Sequence, residues 1–532
     1  MVIRKSLLSL SIASVFALTA CGSDNDKTPT PEPPVIPPIV VAPETPDALS
    51  FVVTGNVINI ADSNIVADAT INFLEDGVAS TNLVDVNGNA ITSVTAAEGD
   101  FSFTLKEGAT ITEISAVVSA AGFISKGFNI DLDVADGIKV LPVQLALTSK
   151  TGAGITDKTE TSTVDAGTVA EAIKVTPDAA DVGKVAEVTI PAGVVLQDAT
   201  GVAVTGTSVT LNVTSSADSA SALLPQGLNT AGSDTVATPV GSASVVMMDE
   251  NGTKIKKFSQ EIEVTVQVPE SAGVTEGQML DITSFDEDTG KWTSEGDNKA
   301  TIGDFNATTK TFPATFMTDH LTIFATTTSQ PVCAEDIKLT YSGAAIPTSG
   351  LLVQISASDM PTVSYPVFSG TTELLVASAD AAALIGVAAD ATANIKVTDV
   401  NGAVWHETSG ETTNICGNIA VELANPVTLV AESFALSSTC SNDTTITNPL
   451  PGAVVKYRIA GKGFSTASGD GAGNYALNDL VTGSAYDVRV IPRGTAFTDV
   501  AIQNFTITAD GTDENGTVPV TCDTSTGGTG AG

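Results

Sequence analysis

The sequence predicts an all-β protein, a series of tandem β-sandwiches behind a disordered N-terminal tether. Three observations carry that expectation. Alternating runs of Val, Ile, Thr and Phe recur from Phe51 onward, among them "SFVVTGNVINI", "GDFSFTL", "TSVTLNVT", "EIEVTVQV", "VVKYRI" and "YDVRVI". Alternation of period two puts one face of a strand in a core and the other in water, and many such runs at close spacing mark sandwiches. Turn dipeptides separate the runs: Asn87-Gly88, Asn251-Gly252, Asn401-Gly402 and Asn515-Gly516 supply positive φ for hairpins at little cost. Helix signals are scarce. The exception is residues 378–395, "SADAAALIGVAADATANI", where alanine and leucine predict a short helix or helical turn.

The chain opens with Arg4 and Lys5, followed by an apolar stretch over residues 6–18. That stretch is shorter than the about 20 residues a bilayer requires, and the basic-then-apolar order marks a secretory signal over residues 1–20. Leu18-Thr19-Ala20-Cys21 then resembles the lipobox of bacterial lipoproteins. The resemblance implies that Cys21 becomes the mature N-terminus and is multiply acylated, palmitate being the typical chain. Each buried methylene contributes about 0.8 kcal/mol, so several chains give stable anchoring. In that family an aspartate after the cysteine favours the inner membrane; Gly22 and Ser23 follow here, which implies an outer membrane lipoprotein of the cell envelope, facing the periplasm or the surface. Residues 21–50 form the linker, rich in proline and acids. Such chains extend as polyproline at about 3.1 Å per residue, so residues 24–47 reach on the order of 70 Å.

With 532 residues, 42% of them hydrophobic, the chain can build several cores. The spacing of strand runs divides it into sandwiches over residues 51–148, 149–328 (opening with a linker), 329–431 and 432–524, with a flexible tail over 525–532. Residues 148–170, rich in Thr, Gly and Ser, read as a hinge or as extra edge strands. The formal charge is −38, and −40 without residues 1–20. Such an excess of acid argues against nucleic acid as a partner and against charge-driven adhesion to anionic lipid.

Beyond Cys21 there are four cysteines, Cys333, Cys416, Cys440 and Cys522. An even number in a secreted chain suggests disulfides, with three connectivities open. The separations select one: Cys333 to Cys416 is 83 positions and Cys440 to Cys522 is 82. Two similar loops in series predict two consecutive domains, each with its first and last strands stapled. A redox or metal site would need a CxxC or Cys/His cluster, and the sequence has neither.

Segments of the chain resemble two known kinds of module. Residues 51–147, through "VVTGNVIN", "ADATINF", "DVNGN", "GDFSFTL" and "AAGFISKGFNIDL", look like the carboxypeptidase regulatory-like module, a small transthyretin-like sandwich of bacterial envelope proteins. Residues 452–522 repeat the theme with "GAVVKYRIAG" and "GDGAGNYALNDLVTGSAYDVRVIPRG", and residues 333–423 follow it more weakly. These modules are not catalytic; the resemblance implies spacing and binding. The middle segment, "VTIPAGVVLQDATGVAVTGTSVTLNVT" through "SFDEDTGKW" to "FMTDHLTIFA", resembles an immunoglobulin-like sandwich module of bacterial lipoproteins, distantly similar to modules of ankyrins and cartilage intermediate layer protein. That resemblance implies a scaffold and carries no catalytic residues.

A search for chemistry returns little. His320 and His406 stand alone, with no HExxH pattern, and no G-x-S-x-G, P-loop or dinucleotide fingerprint occurs. Asp286, Glu287 and Asp288 could pair carboxylates for glycosidic chemistry, but a polar hairpin with Trp292 packed behind it fits better. The sequence calls for no cofactor, and calcium alone has a partial ligand set, at Asp85, Asn87 and Asn89. That set lacks the glycine and distal glutamate of an EF-hand. A second such group is Asp510, Asp513 and Glu514. Trp405 and Tyr475, if exposed, would make sugar platforms; as core or cross-strand aromatics they would not.

These readings favour a non-catalytic, lipid-anchored envelope protein acting as a stalk or an adhesive, binding array. Its partners would be the membrane, through the lipid, and a protein or glycan ligand. The alternative is a carbohydrate-binding accessory lipoprotein beside surface enzymes, which requires an exposed platform. An enzyme would require convergent polar groups in a pocket, and no motif supplies them.

Overall fold

A computed structural model of the chain describes residues 39–134, 137–175, 185–216 and 220–525. Cys21, most of the linker and the end of the tail lie outside the described residues. The architecture is all-β, and the α-helical segment Ala382–Ile385 is a single turn within the alanine-rich stretch. Among the described residues no helix is long and apolar enough to cross a membrane.

The first, third and fourth modules share one plan. In the first, Val140–Leu147, Val52–Asn59, Asp100–Leu105 and Leu83–Val84 form one sheet. Val78–Ala79, Ala69–Glu75, Glu113–Ser119 and Lys126–Asp131 form the other, with Ser93–Ala96 added beside Ala69–Glu75. Inward-facing Ile71, Phe73, Phe103 and Ile114 fill the space between them. In each of the three modules the opening strand lies parallel to the closing one: Val53 opposite Leu141, Leu339 opposite Ile419, and Leu436 opposite Gly516.

Parallel pairing brings like ends of the two strands together, which explains the cysteines. Cys333 and Cys416 both precede their strands and are joined, with Cα atoms 5.5 Å apart. Cys440 and Cys522 both lie at strand ends and are joined at 5.3 Å. The two bridges therefore clamp similar strand pairs at opposite ends.

The second module differs from a pair of separate sheets. Its strands from Ile155–Thr163 to Ile323–Pro331 form one hydrogen-bonded sheet of 12 strands, folded over a single core. Ile155–Thr163 is an edge strand of that sheet, paired with Ser208–Ser216, so this stretch belongs to the sheet and not to a linker. The expected boundaries at 328 and 431 fall inside strands, Ile323–Pro331 and Leu429–Cys440. Turn signals mark where strands can end, and here the strands run on through the junctions.

The modules close into a ring. Thr148 Oγ1 donates to Ala222 O at 2.7 Å, joining the first to the second. Gln226 Nε2 donates to Thr362 O at 2.9 Å, joining the second to the third. Tyr486 Oη donates to Asn401 Oδ1 at 2.8 Å, joining the third to the fourth. The fourth then packs on the first: Lys456 Nζ meets Asp100 Oδ1 at 2.6 Å, and Arg458 and Arg489 reach Glu98 at 2.6 and 2.7 Å. Phe464 lies beneath both guanidiniums, 4.1 and 4.4 Å from their centres. Even the end of the expected tether is docked, with Ile39–Val41 pairing antiparallel with Asp523–Ser525. Pro46 sits so close to Gly452 that a Cβ there would lie 2.1 Å from the proline carbonyl.

Candidate functional site

The residues singled out in the sequence are scattered, and most are committed to turns and cores. Asp85 Oδ1 accepts from the backbone N–H groups of Asn87 and Asn89 at 2.8 and 2.9 Å, and Oδ2 accepts from Asn89 Nδ2 at 2.9 Å. The same bonding to the second and fourth following N–H groups recurs at Asp198, Asp249, Asp399 and Asp470. All five share the pattern D-x-x-G-x, a hairpin signal that an emphasis on Asn-Gly alone does not isolate. The Asp85 carboxylate thus holds its own loop closed. Asp510 likewise caps Thr512, and Asp513 accepts from Ser433 N at 2.9 Å. Among the described residues no group of three or more His, Cys, Asp and Glu is placed to hold a metal ion.

Within "SFDEDTGKW", Asp286 caps its own turn and Glu287 pairs with Lys256 at 3.3 Å. Trp292 packs on Phe285 and donates to Gln226 O at 3.1 Å. The hairpin abuts the first module, where Gly290 lies against Leu74 and Val117. His320 contacts Glu295 at 3.4 Å, and the hydrogen bond to that carboxylate raises its pKa above the usual value despite burial. Ser284 Oγ donates to Glu295, not to the imidazole, so no activated nucleophile results. His406 Nδ1 lies 2.9 Å from Glu422 O, a cross-strand tie. Trp405 and Tyr475 are core residues, 3% and 2% exposed, with Nε1 bonded to Asp399 and Oη to Leu450 O. A sugar platform on those rings is thereby removed; their alternating positions fit a core equally well, and the core takes them.

The site that emerges was not legible as a motif. Where the first, third and fourth modules converge there is a cleft of about 590 Å³. Its walls are two opposed sheet faces. One carries Thr54 and Asn56, with Gln144 directly opposite Asn56 on the parallel neighbour. The other carries Gln354 opposite Lys396, with Thr398 beside them. Lys462 and Phe464 of the fourth module close one end, held by Asn56, whose side chain bonds both the N–H and the C=O of Phe464 at 2.9 and 3.1 Å.

Sheet faces that pack together are apolar; these present amides, hydroxyls and ammonium groups, so the gap between them stays wet. Lys139, Lys396 and Lys462 all line it, the last two half-buried, and none has an ion-pair partner among the described residues. In a chain with 23 basic residues against 61 acidic ones, such a grouping is a local reversal of charge. Of the two carboxylates in the cleft, Asp399 is consumed by its turn and by Trp405 Nε1, and Asp62 accepts from Asn64 N at 3.0 Å. The arrangement offers many neutral donors and acceptors and a few fixed positive charges.

No protein-family model matches the chain, and no curated protein matches it. Among solved structures it is similar to a minor pilin of Streptococcus agalactiae, at 8% identity and TM-score 0.17, over 36% of this chain and 96% of that one. It is similar also to the full-length major pilin SpaD of Corynebacterium diphtheriae, at 8% identity and TM-score 0.15, over 89% and 98% of the two chains. A third is the full-length major pilin RrgB of Streptococcus pneumoniae, at 10% identity and TM-score 0.15, over 88% and 100%. TM-scores this low carry no argument about this chain.

Proposed function

We propose that this is a non-catalytic, lipid-anchored protein of the cell envelope whose ring of sandwiches binds a short acidic oligosaccharide in the three-module cleft. The observation that supports the reading is the cleft itself: opposed polar sheet faces with unpaired lysines in a strongly acidic chain. Amides and hydroxyls match sugar hydroxyls, and the ammonium groups match a uronic acid carboxylate. The chain's net charge repels long polyanions, which favours a short ligand engaged at contact range. The lipid on Cys21 and the proline-rich stretch would hold the ring away from the membrane while it binds.

Calorimetry with trigalacturonate and with neutral galactotriose tests the ligand. The acidic trimer should bind at least tenfold more tightly, and Lys396→Gln with Lys462→Gln should abolish that preference. Each charge-assisted hydrogen bond lost is worth about 1.5–3 kcal/mol. Equal binding of the two trimers, or a preference that survives the double substitution, would overturn the reading. For the anchor, a Cys21→Ser chain should leave the membrane fraction. Protease shaving of intact and lysed cells separates a surface-facing from a periplasmic array.

A further inference from the structure

A second cavity differs in kind. Lys126–Asp131 and Val140–Leu147 are edge strands of the two opposed sheets of the first module. Nothing within the module closes the side between them, and a slot of about 380 Å³ opens there. Tyr365, Phe368 and Leu374 of the third module cover it, and Phe368 packs against the first module's own core. The slot is therefore the open flank of a sandwich interior, lidded by a neighbour.

Alternation along the edge strand puts Lys126, Phe128 and Ile130 on the inward face, buried at 5%, 8% and 4% exposure. Leu141, Val143 and Leu145 face them from the other edge. Lys126 is the anomaly. Among the described residues its ammonium has neither a hydrogen-bond nor an ion-pair partner, and burial pushes its pKa down to about 8. It therefore still carries its charge at neutral pH, in surroundings that offer nothing to balance it. Buried charges are ordinarily paired, so an unpaired one lining a cavity points to an anion supplied from outside. The acidic groups of the slot, Asp131 and Asp133, are exposed at the other end of the strand. Lys126 lies at the end nearest Leu145 and Leu224, because the chain reverses between the two edge strands.

We propose that this slot binds an alkyl carboxylate, with the head group on Lys126 and the chain laid along Phe128, Ile130, Leu141 and Leu145. One ammonium beside the aliphatic and aromatic side chains that the two edge strands turn inward suits a single negative charge on a hydrocarbon; Asn129, Gln226, Thr362 and Ser364 add neutral polar groups to the rim, and Asp131 and Asp133 stand at the far end. A phosphate would call for several converging donors. The slot's volume falls in the range of small-molecule sites, roughly 300–1,000 Å³.

The test is calorimetric titration of the Cys21→Ser chain, all modules intact, with dodecanoate and with dodecan-1-ol. Dodecanoate should bind with one-to-one stoichiometry and at least tenfold more tightly than the alcohol. Lys126→Met, which keeps length and packing, should erase that difference while leaving alcohol affinity within twofold. Val143→Phe, which narrows the slot without touching the charge, should weaken both ligands together. Absence of dodecanoate binding, equal affinity for acid and alcohol, or a preference retained in Lys126→Met would each overturn the proposal. Val143 and Phe368 line both cavities, but Lys126, Phe128, Ile130, Leu141 and Leu145 line the slot alone, so the Lys126→Met outcome is independent of the three-module cleft.

Discussion

The contact between the first and fourth modules gives the sharpest test of how the ring is held. Lys456 and Asp100 are buried, with side chains 1% and 8% exposed, and meet at 2.6 Å. Burial lowers the Lys456 pKa, and the nearby Asp100 charge only partly offsets this. The two partners are not equivalent. Asp100 has a second cation, Arg489, 3.7 Å from its other oxygen, whereas among the described residues Lys456 has Asp100 as its one acid. Asp100→Asn therefore strands a buried ammonium and should cost about 3 kcal/mol, the low end for a broken buried pair because the amide oxygen still accepts a hydrogen bond. Lys456→Met strands nothing comparable and should cost less, about 1.5 kcal/mol, the lower value for one charged hydrogen bond. Replacing both, as Asp100→Leu with Lys456→Met, should come out near neutral. Urea denaturation followed by circular dichroism measures the cost, and small-angle X-ray scattering measures whether the ring opens. If Lys456→Met proved as damaging as Asp100→Asn, desolvation of an unpaired ammonium would not be the governing term, and the argument would fail.

Other predictions follow from the same geometry. Serine at Cys333 and Cys416 should destabilise the third module by up to about 4.5 kcal/mol in the chain-entropy model for a loop of 83 residues, read from its melting transition with and without reductant. Gly452→Val places side-chain atoms where the Pro46 carbonyl lies, so it should release the docked segment and create a protease site between residues 39 and 50 that the native chain lacks. Lys126→Met should raise stability at pH 7 by about 3 kcal/mol, since a pKa lowered from 10.5 to about 8 disfavours folding below that range. The advantage should shrink as pH rises from 8 toward 10.5, where the unfolded chain alone holds the proton. His320, whose pKa is raised by Glu295, contributes stability below about 6.5 that is lost as pH climbs through its folded value. The stability difference between the native chain and Glu295→Gln should accordingly fall as pH rises above about 6.5, by about 1 kcal/mol for a pair that is only partly buried.

Local pattern carried the strands, because a period of two needs only neighbouring residues to be seen. The cysteine spacing carried the stapling of strand to strand, although not the parallel pairing that makes those ends meet. Module junctions were harder: strands such as Leu429–Cys440 cross them, and nothing in composition changes at residue 431. The cleft was invisible because Lys139, Lys396 and Lys462 belong to three modules and meet only through the ring closure. Lys126 could have been found. It stands two positions before Phe128 and four before Ile130, a charge at an inward place in an alternating strand, and only its ordinary loop-side look in "ISKGFNI" concealed it.

The strand pair of Ile39–Val41 with Asp523–Ser525 has a mechanical consequence. A string of domains transmits tension through every link in turn, so its weakest member sets the breaking load. Here a pull entering at residue 39 reaches the fourth module directly. A load on the three-module cleft, whose walls include the fourth module, could be carried to that point without passing through the twelve-stranded second module. The second module is then a brace that holds the ring's circumference, shielded from the force that the ring itself would bear.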